Sequence, residues 1–325
     1  MLTNVFILTG TIIGAGIFSL PFILQKTGLL FFIQLIILSL TSIFLSFAYL
    51  EIIKKVKKTD QLPFYIEKFL GKKMGFFSKV LFIFSLIGAL TGYLMLIKYT
   101  IDNIIFFIIP IWLIFLFKKD LIEKIDDGLT FILLGLLFAL IYINIKPINL
   151  SIKPSIKNIV DSFGIILFSL TGFSVIPELD LRKNPKMSIL LSYLIVTLIY
   201  ALFAMTKTNN HKLFFNSSII FAITTSYIPL TSVLEQTLIK DFSFSTSLGK
   251  ITSLLTPLIF LLIGGKNFLN AFSLTGGVFI ALLQILIIFS FLKTEKKFPI
   301  RIIAFFTIAL LLIGVLSEIL KNLYL

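Results

Sequence analysis

The stretch Thr9-Gly10-Thr11-Ile12-Ile13-Gly14-Ala15-Gly16-Ile17-Phe18-Ser19-Leu20-Pro21 decides the fold of this chain. It lies inside the first apolar run, about residues 4–24, where a stable membrane helix should avoid such a cluster. Gly10, Gly14, Gly16 and Pro21 all weaken a helix. In lipid an unpaired backbone amide costs several kcal/mol, so irregular backbone survives only where protein buries it or where it lines a cavity. The stretch therefore predicts a span broken at mid-depth.

The composition says what surrounds that break. The chain has 325 residues, 58% of them hydrophobic, 37 of them Phe, and a mean hydropathy of +1.08. Only 14% are charged, against about a quarter in a soluble domain. A span needs about 20 apolar residues. Eleven candidates run the whole length: about 4–24, 30–53, 75–98, 104–117, 128–145, 158–178, 188–206, 213–236, 251–265, 267–292 and 299–320. The expectation is one all-α polytopic membrane domain over residues 1–325. Residues 60–72 read either as a short amphipathic helix on the membrane surface or as a polar loop. The first span has no basic region before it, and Leu20-Pro21-Phe22 does not resemble a cleavage site, so a removed signal peptide is not expected.

The net charge of +14 does not imply nucleic acid, because the lysines fall between apolar spans. With the N-terminus in the cytoplasm, 20 of the 29 Lys and Arg residues lie inside, including Lys54, Lys55, Lys183 and Arg301. That bias follows the positive-inside rule and predicts a multi-pass protein of the cytoplasmic membrane. Cysteine is absent, which excludes disulfides and thiolate metal sites, and no metal site is expected. The sequence carries no signal for an oligomeric state.

A second break echoes the first. Phe168-Ser169-Leu170-Thr171-Gly172-Phe173-Ser174-Val175-Ile176-Pro177-Glu178 places Gly172 in mid-span, with Pro177 after it as Pro21 follows Gly16. Span 1 runs outward and span 6 inward. Two sets of five spans, each led by a broken helix and related by inversion, are the pattern of a secondary transporter. The repeats are about 4–145 and 158–292; span 11, about 299–320, is an addition.

Four segments carry a family resemblance: residues 10–21, Ala89-Leu90-Thr91-Gly92-Tyr93, residues 168–177, and Ala222-Ile223-Thr224-Thr225-Ser226-Tyr227-Ile228-Pro229-Leu230. In span order they resemble the amino acid permeases of the amino acid–polyamine–organocation superfamily. Within it they are most similar to the hydroxy and aromatic amino acid permeases. The resemblance implies a LeuT-like fold and an amino acid substrate, aromatic amino acids among the candidates. It also implies alternating access coupled to a cation gradient, with no cofactor beyond Na+ or H+.

A zwitterion needs two complementary ends. Its carboxylate suits free amides at the positive end of a half-helix, and its ammonium suits carbonyls freed by unwinding. The resemblance assigns the substrate cradle to Gly14, Ala15 and Gly16 in span 1 and to Ser169, Leu170, Thr171 and Gly172 in span 6. Tyr93 faces the substrate on the same grounds, and Phe173 gates it. Gly10 and Gly14 alone would equally suit a small-residue helix contact.

For ion coupling, Thr225 and Ser226 offer hydroxyls that, with first-span carbonyls, would suit sodium. The plainer reading is that such hydroxyls bond their own helix. Glu178 is the candidate proton carrier, and a surface role is the plainer alternative. Asp161, Glu51 and Glu235 sit towards span ends, span 5 has no lysine, and His211 falls in a loop. An enzyme is not expected, since the spans offer no buried acid, base or phosphate-binding cluster. A channel, or a non-transporting sensor on the same fold, are the alternatives.

Overall fold

A computed structural model describes residues 1–56, 60–100, 119–144, 156–206, 212–263 and 267–323. Among them the chain is helical throughout. Eight helices are long and apolar enough to cross a membrane, and the bent pair at the N-terminus makes a ninth. The expected fourth span, 104–117, and His211 lie outside the described residues.

Span 1 is α1 (Leu2–Ile12), a 3-10 turn (Ala15–Ser19) and α2 (Leu20–Thr27), bent by 47° at the break. Span 2 is α3 (Leu30–Val56). Residues 60–72 contain α4 (Leu62–Leu70), which settles the reading there for a short helix. Span 3 is α5 (Lys72–Thr100); α6 (Lys119–Asn144) covers the expected fifth, but its described apolar part, Ile132–Asn144, is too short to count among those nine. Span 6 is α7 (Ile156–Ser169) followed by a 3-10 turn (Phe173–Glu178). Spans 7, 8 and 9 are α8 (Pro185–Ala204), α9 (Lys212–Phe242) and α10 (Thr246–Ile263). Span 10 is α11 (Phe268–Leu274), a π-helical segment (Thr275–Ile280) and α12 (Ala281–Leu292); span 11 is α13 (Phe298–Leu323).

The order of burial follows from the bilayer. Helix α5 packs against α4, α9, α10, α11 and the π segment, so Leu90, Leu94 and Ile97 are sealed in the centre. Outer helices present Ile33, Leu40, Leu198 and Phe306 outward, which is stable only where lipid replaces water. Phe306 and Ile313 of α13 are 73% and 63% exposed, so the eleventh span lies at the periphery.

Spans 1 and 6 are antiparallel neighbours. Near one end of the bundle Asn4 Nδ2 donates to the Asp180 carbonyl at 3.0 Å, and the Asp180 amide donates to Asn4 Oδ1 at 3.1 Å. At the other end Asn158 Nδ2 donates to the Lys26 carbonyl at 2.9 Å. The start of each span thus meets the end of the other.

The π segment was not foreseen in the sequence. Its glycines explain the close approach there: a Cβ on Gly276 would collide with the Gly164 carbonyl, and one on Gly164 with the Ser273 carbonyl. Helix α7 therefore meets span 10 backbone to backbone.

Candidate functional site

The first break is a local turn that glycine permits. Ile13 adopts φ −76°, ψ 77°, the inverse γ-turn geometry, and the Gly14 amide closes it onto the Ile12 carbonyl at 2.8 Å. Gly14 is then extended (φ −107°, ψ −165°) and the chain winds into the 3-10 turn. Among the described residues no hydrogen bond takes up the amides of Ala15 and Gly16. They open the half-helix that runs into α2, where the backbone dipole favours an anion. The second break follows Ser169: the Thr171 amide reaches back to Phe168 at 3.1 Å, and Gly172 (φ −138°, ψ 10°) leads into the 3-10 turn.

The two breaks interlock. A Cβ on Gly16 would stand 2.7 Å from Ser169 Oγ and 3.0 Å from Ser169 Cα, the last residue of α7. A Cβ on Gly172 would run into the side chain of Ile12, the last residue of α1. Each break's glycine thus seats the end of the opposing half-helix. Ala15 and Leu170 are fully buried between them, and Ser169 and Phe173 are buried as well.

Tyr200 of α8, missed in the sequence, joins the same two ends. Its hydroxyl lies 2.6 Å from the Ile12 carbonyl and 2.8 Å from the Ser169 carbonyl. One proton serves two acceptors, so the hydroxyl donates to one at a time. Two turns back along α8, Ser46 Oγ donates to the Tyr193 hydroxyl at 3.2 Å, which donates to the Leu170 carbonyl at 3.4 Å. Two tyrosines of one helix therefore take carbonyls that unwinding released. No local pattern marks either tyrosine in an apolar run; both contacts need the folded bundle.

The expected partners across the site do come together. A Cβ on Gly14 would lie 3.0 Å from Ser226 Oγ and 3.5 Å from the Tyr93 hydroxyl, so both side chains face the first break. Tyr93 is walled by Phe168 (ring centroids 6.1 Å) and Phe272 (5.9 Å), which stack on each other at 4.4 Å. Other expected polar groups turn to their own helices. Thr225 Oγ1 donates to the Ala222 carbonyl at 3.0 Å, and Thr224 Oγ1 to Ile220 at 2.8 Å. Thr171 Oγ1 donates to Leu167, and Ser169 Oγ to Ile165, each at 2.9 Å. Thr9 Oγ1, one turn ahead of the first break, is buried without a partner.

The acidic residues sort differently. Glu178 is exposed at the end of its 3-10 turn. Asp180 beyond it accepts from the Arg182 amide at 3.0 Å and pairs with Lys183 at 3.4 Å. The amide first, and then the lysine, hold its carboxyl below the usual range. Two carboxylates that the sequence placed merely towards span ends, or left unremarked, are buried. Glu235 of α9 is 4% exposed, and no hydrogen bond or ion pair reaches it among the described residues. Glu318 of α13 is 2% exposed and accepts from Ser273 Oγ at 2.7 Å and from Lys321 at 3.4 Å. Asp161 lies 4.0 Å from the same lysine. No group of three His, Cys, Asp or Glu side chains among the described residues is placed to hold a metal ion.

Residues 1–119 match a family model described as transmembrane amino acid transporter protein. The match takes in the first break and Tyr93 and stops short of the second break. No curated protein matches the chain.

Proposed function

We propose that this protein is a secondary transporter that moves amino acids across the cytoplasmic membrane by alternating access. One observation carries the reading: the breaks of two antiparallel spans face each other, each glycine seating the end of the other half-helix, with Tyr200 between them. Such an element can rock as one body about a site at the midplane. The family match over residues 1–119 supports amino acids as the substrate class.

The free amides of Ala15 and Gly16 would receive the substrate carboxylate. The ammonium would find the carbonyls of the second break near Leu170 and Thr171, beside Gly172. Tyr93, with Phe168 and Phe272 behind it, favours a flat side chain, so aromatic amino acids are the preferred substrates in this reading. Phe173 closes the site from the span 6 side. The inverted 5+5 arrangement over 4–145 and 158–292, with the N-terminus in the cytoplasm, belongs to the same proposal.

The coupling cation in this reading is sodium, held by Ser226 and Thr225 with first-span carbonyls. Thr225 would have to give up its bond to Ala222 to take part. A proton is the second reading, favoured by one observation: Glu235, on the same helix, is buried and has no partner among the described residues. A carboxylate in that setting is costly unless it gains a cation.

Uptake of radiolabelled amino acids into proteoliposomes tests the whole. Accumulation of tyrosine or tryptophan driven by a sodium gradient at fixed pH, and lost in Thr225→Val with Ser226→Ala, supports the leading reading. Accumulation driven by a pH gradient without sodium, lost in Glu235→Gln or Glu178→Gln, replaces sodium with the proton. No uptake or exchange of any amino acid by correctly folded protein would point to a sensor. Unsaturable flux would point to a channel.

A further inference from the structure

The end of the bundle where α4 meets α5, and where α12 passes into α13, holds a cleft that the broken helices do not touch. Its volume is about 490 Å³. The walls are apolar, chiefly Phe69 of α4, Met74 of α5 and Phe289 of α12. Two cations, Lys293 and Arg301, stand at its rim.

Neither cation has a carboxylate partner among the described residues. Neighbouring carboxylates are committed elsewhere. Glu67 and Asp241 both hold Lys79, at 3.3 and 3.2 Å. Glu51 holds Lys186 at 2.9 Å and Lys54 at 3.4 Å. Glu295, in the same loop as Lys293, accepts from the amides of Lys296 and Lys297 at 2.9 Å each. Lys55 reaches across from α3 to the Thr294 carbonyl at 2.9 Å, which fixes the loop without neutralising it. The cleft therefore carries two unpaired positive charges above an apolar wall, at the end of the bundle that the basic residues assign to the cytoplasmic leaflet.

We propose that this cleft binds an anionic phospholipid, its phosphate between Lys293 and Arg301 and an acyl chain along Phe69, Met74 and Phe289. Basic pockets between membrane helices on this side recognise such headgroups. A free phosphate shares the charge chemistry, but it would leave the apolar wall unused. Phe289 is 41% exposed, so the wall opens towards lipid. An acidic segment of a partner protein would satisfy the cations but would need polar company along that wall.

The test uses the full-length protein in a neutral detergent and reads thermal unfolding, so it is independent of any transport activity. Phosphatidylglycerol should raise the unfolding temperature by several degrees, as a ligand of the folded state does. Phosphatidylcholine and inorganic phosphate at the same concentration should not. Lys293→Gln with Arg301→Gln should lose most of the shift. The charge-matched pair Lys296→Gln with Lys297→Gln should keep it. Native mass spectrometry of the unaltered protein should retain phosphatidylglycerol in preference to phosphatidylcholine, which covers the case of a variant that does not fold. An equal shift with phosphatidylcholine, equal loss in both charge-matched pairs, or no selective retention would overturn the proposal. A shift reproduced by inorganic phosphate alone would replace the lipid with a free anion. Binding of an acidic peptide, without lipid selectivity, would replace it with a protein partner.

Discussion

In span 1 the helix stops at Ile12 and resumes at Leu20. In span 6 it stops at Ser169 and has not resumed when the chain reaches the polar loop at Asp180. Both contain a glycine, a 3-10 turn and a proline, yet the proline sits differently. Pro21 occupies the first turn of α2, where its missing amide costs nothing and its fixed φ suits a helix start. Pro177 lies inside the second 3-10 turn and is followed by Glu178, Asp180, Arg182 and Lys183, which offer no apolar run to continue. The contacts differ as well. Gly16 abuts the backbone of Ser169, which cannot move aside without dragging α7, whereas Gly172 abuts the flexible side chain of Ile12. The same motif thus gives a rigid seat in one span and an adjustable one in the other.

The sharpest test of that comparison is direction. If the two spans run oppositely with the N-terminus inside, a single cysteine at Lys26 labels in intact cells with an impermeant thiol reagent and one at Lys183 does not. The absence of native cysteine keeps the readout clean. Labelling at both positions would remove the antiparallel pair, and reversed labelling would invert the protein.

Next in size is the glycine pair. Gly16→Leu and Gly172→Leu should both abolish uptake while protein still reaches the membrane. Alanine separates them. Gly16→Ala should cost more than about tenfold, roughly 1.4 kcal/mol of barrier, because backbone must yield. Gly172→Ala should cost less and should recover when Ile12→Val makes room. Equal losses, with no recovery, would erase the distinction between a rigid and an adjustable seat.

Removing the link between the seats should act more mildly. Tyr200→Phe leaves two buried carbonyls sharing fewer donors, a loss of about 1–3 kcal/mol. We expect a lower unfolding temperature and several-fold slower turnover with the substrate KM little changed, measured as concentration-dependent uptake. A KM effect alone would make Tyr200 a substrate contact rather than a tie. Smallest is Asn4→Ala, which breaks both bonds to Asp180 at one end of the bundle. A stability loss of about 1 kcal/mol, read from chemical or thermal unfolding, is expected, with uptake changed less than about threefold. An unchanged unfolding curve would show that the two ends are held by packing alone.

The sequence was enough for the membrane class, for the positions of nine of the eleven expected spans within a few residues, and for both breaks. These follow from local rules: the length of an apolar run, and glycine and proline where a helix should be continuous. It also pointed to Gly14, Tyr93 and Ser226 as facing one place, through family resemblance rather than through spacing. Tertiary structure alone decided the rest. Tyr200 reaches a carbonyl 188 positions away, and a tyrosine inside an apolar helix has no local mark of that role. Thr225 had two readings open, and the fold turned its hydroxyl to Ala222. Glu235 looked like an end-of-span carboxylate until the packing of its helix buried it without a partner among the described residues. The glycines of the π segment were visible in the sequence, but that Gly276 and Gly277 meet Gly164 of α7 backbone to backbone was decided by the fold. Local propensity fixes where a helix must break, since the backbone cost is paid within a few residues. Which groups answer the freed amides and carbonyls depends on neighbours that only the closed bundle brings within hydrogen-bond reach.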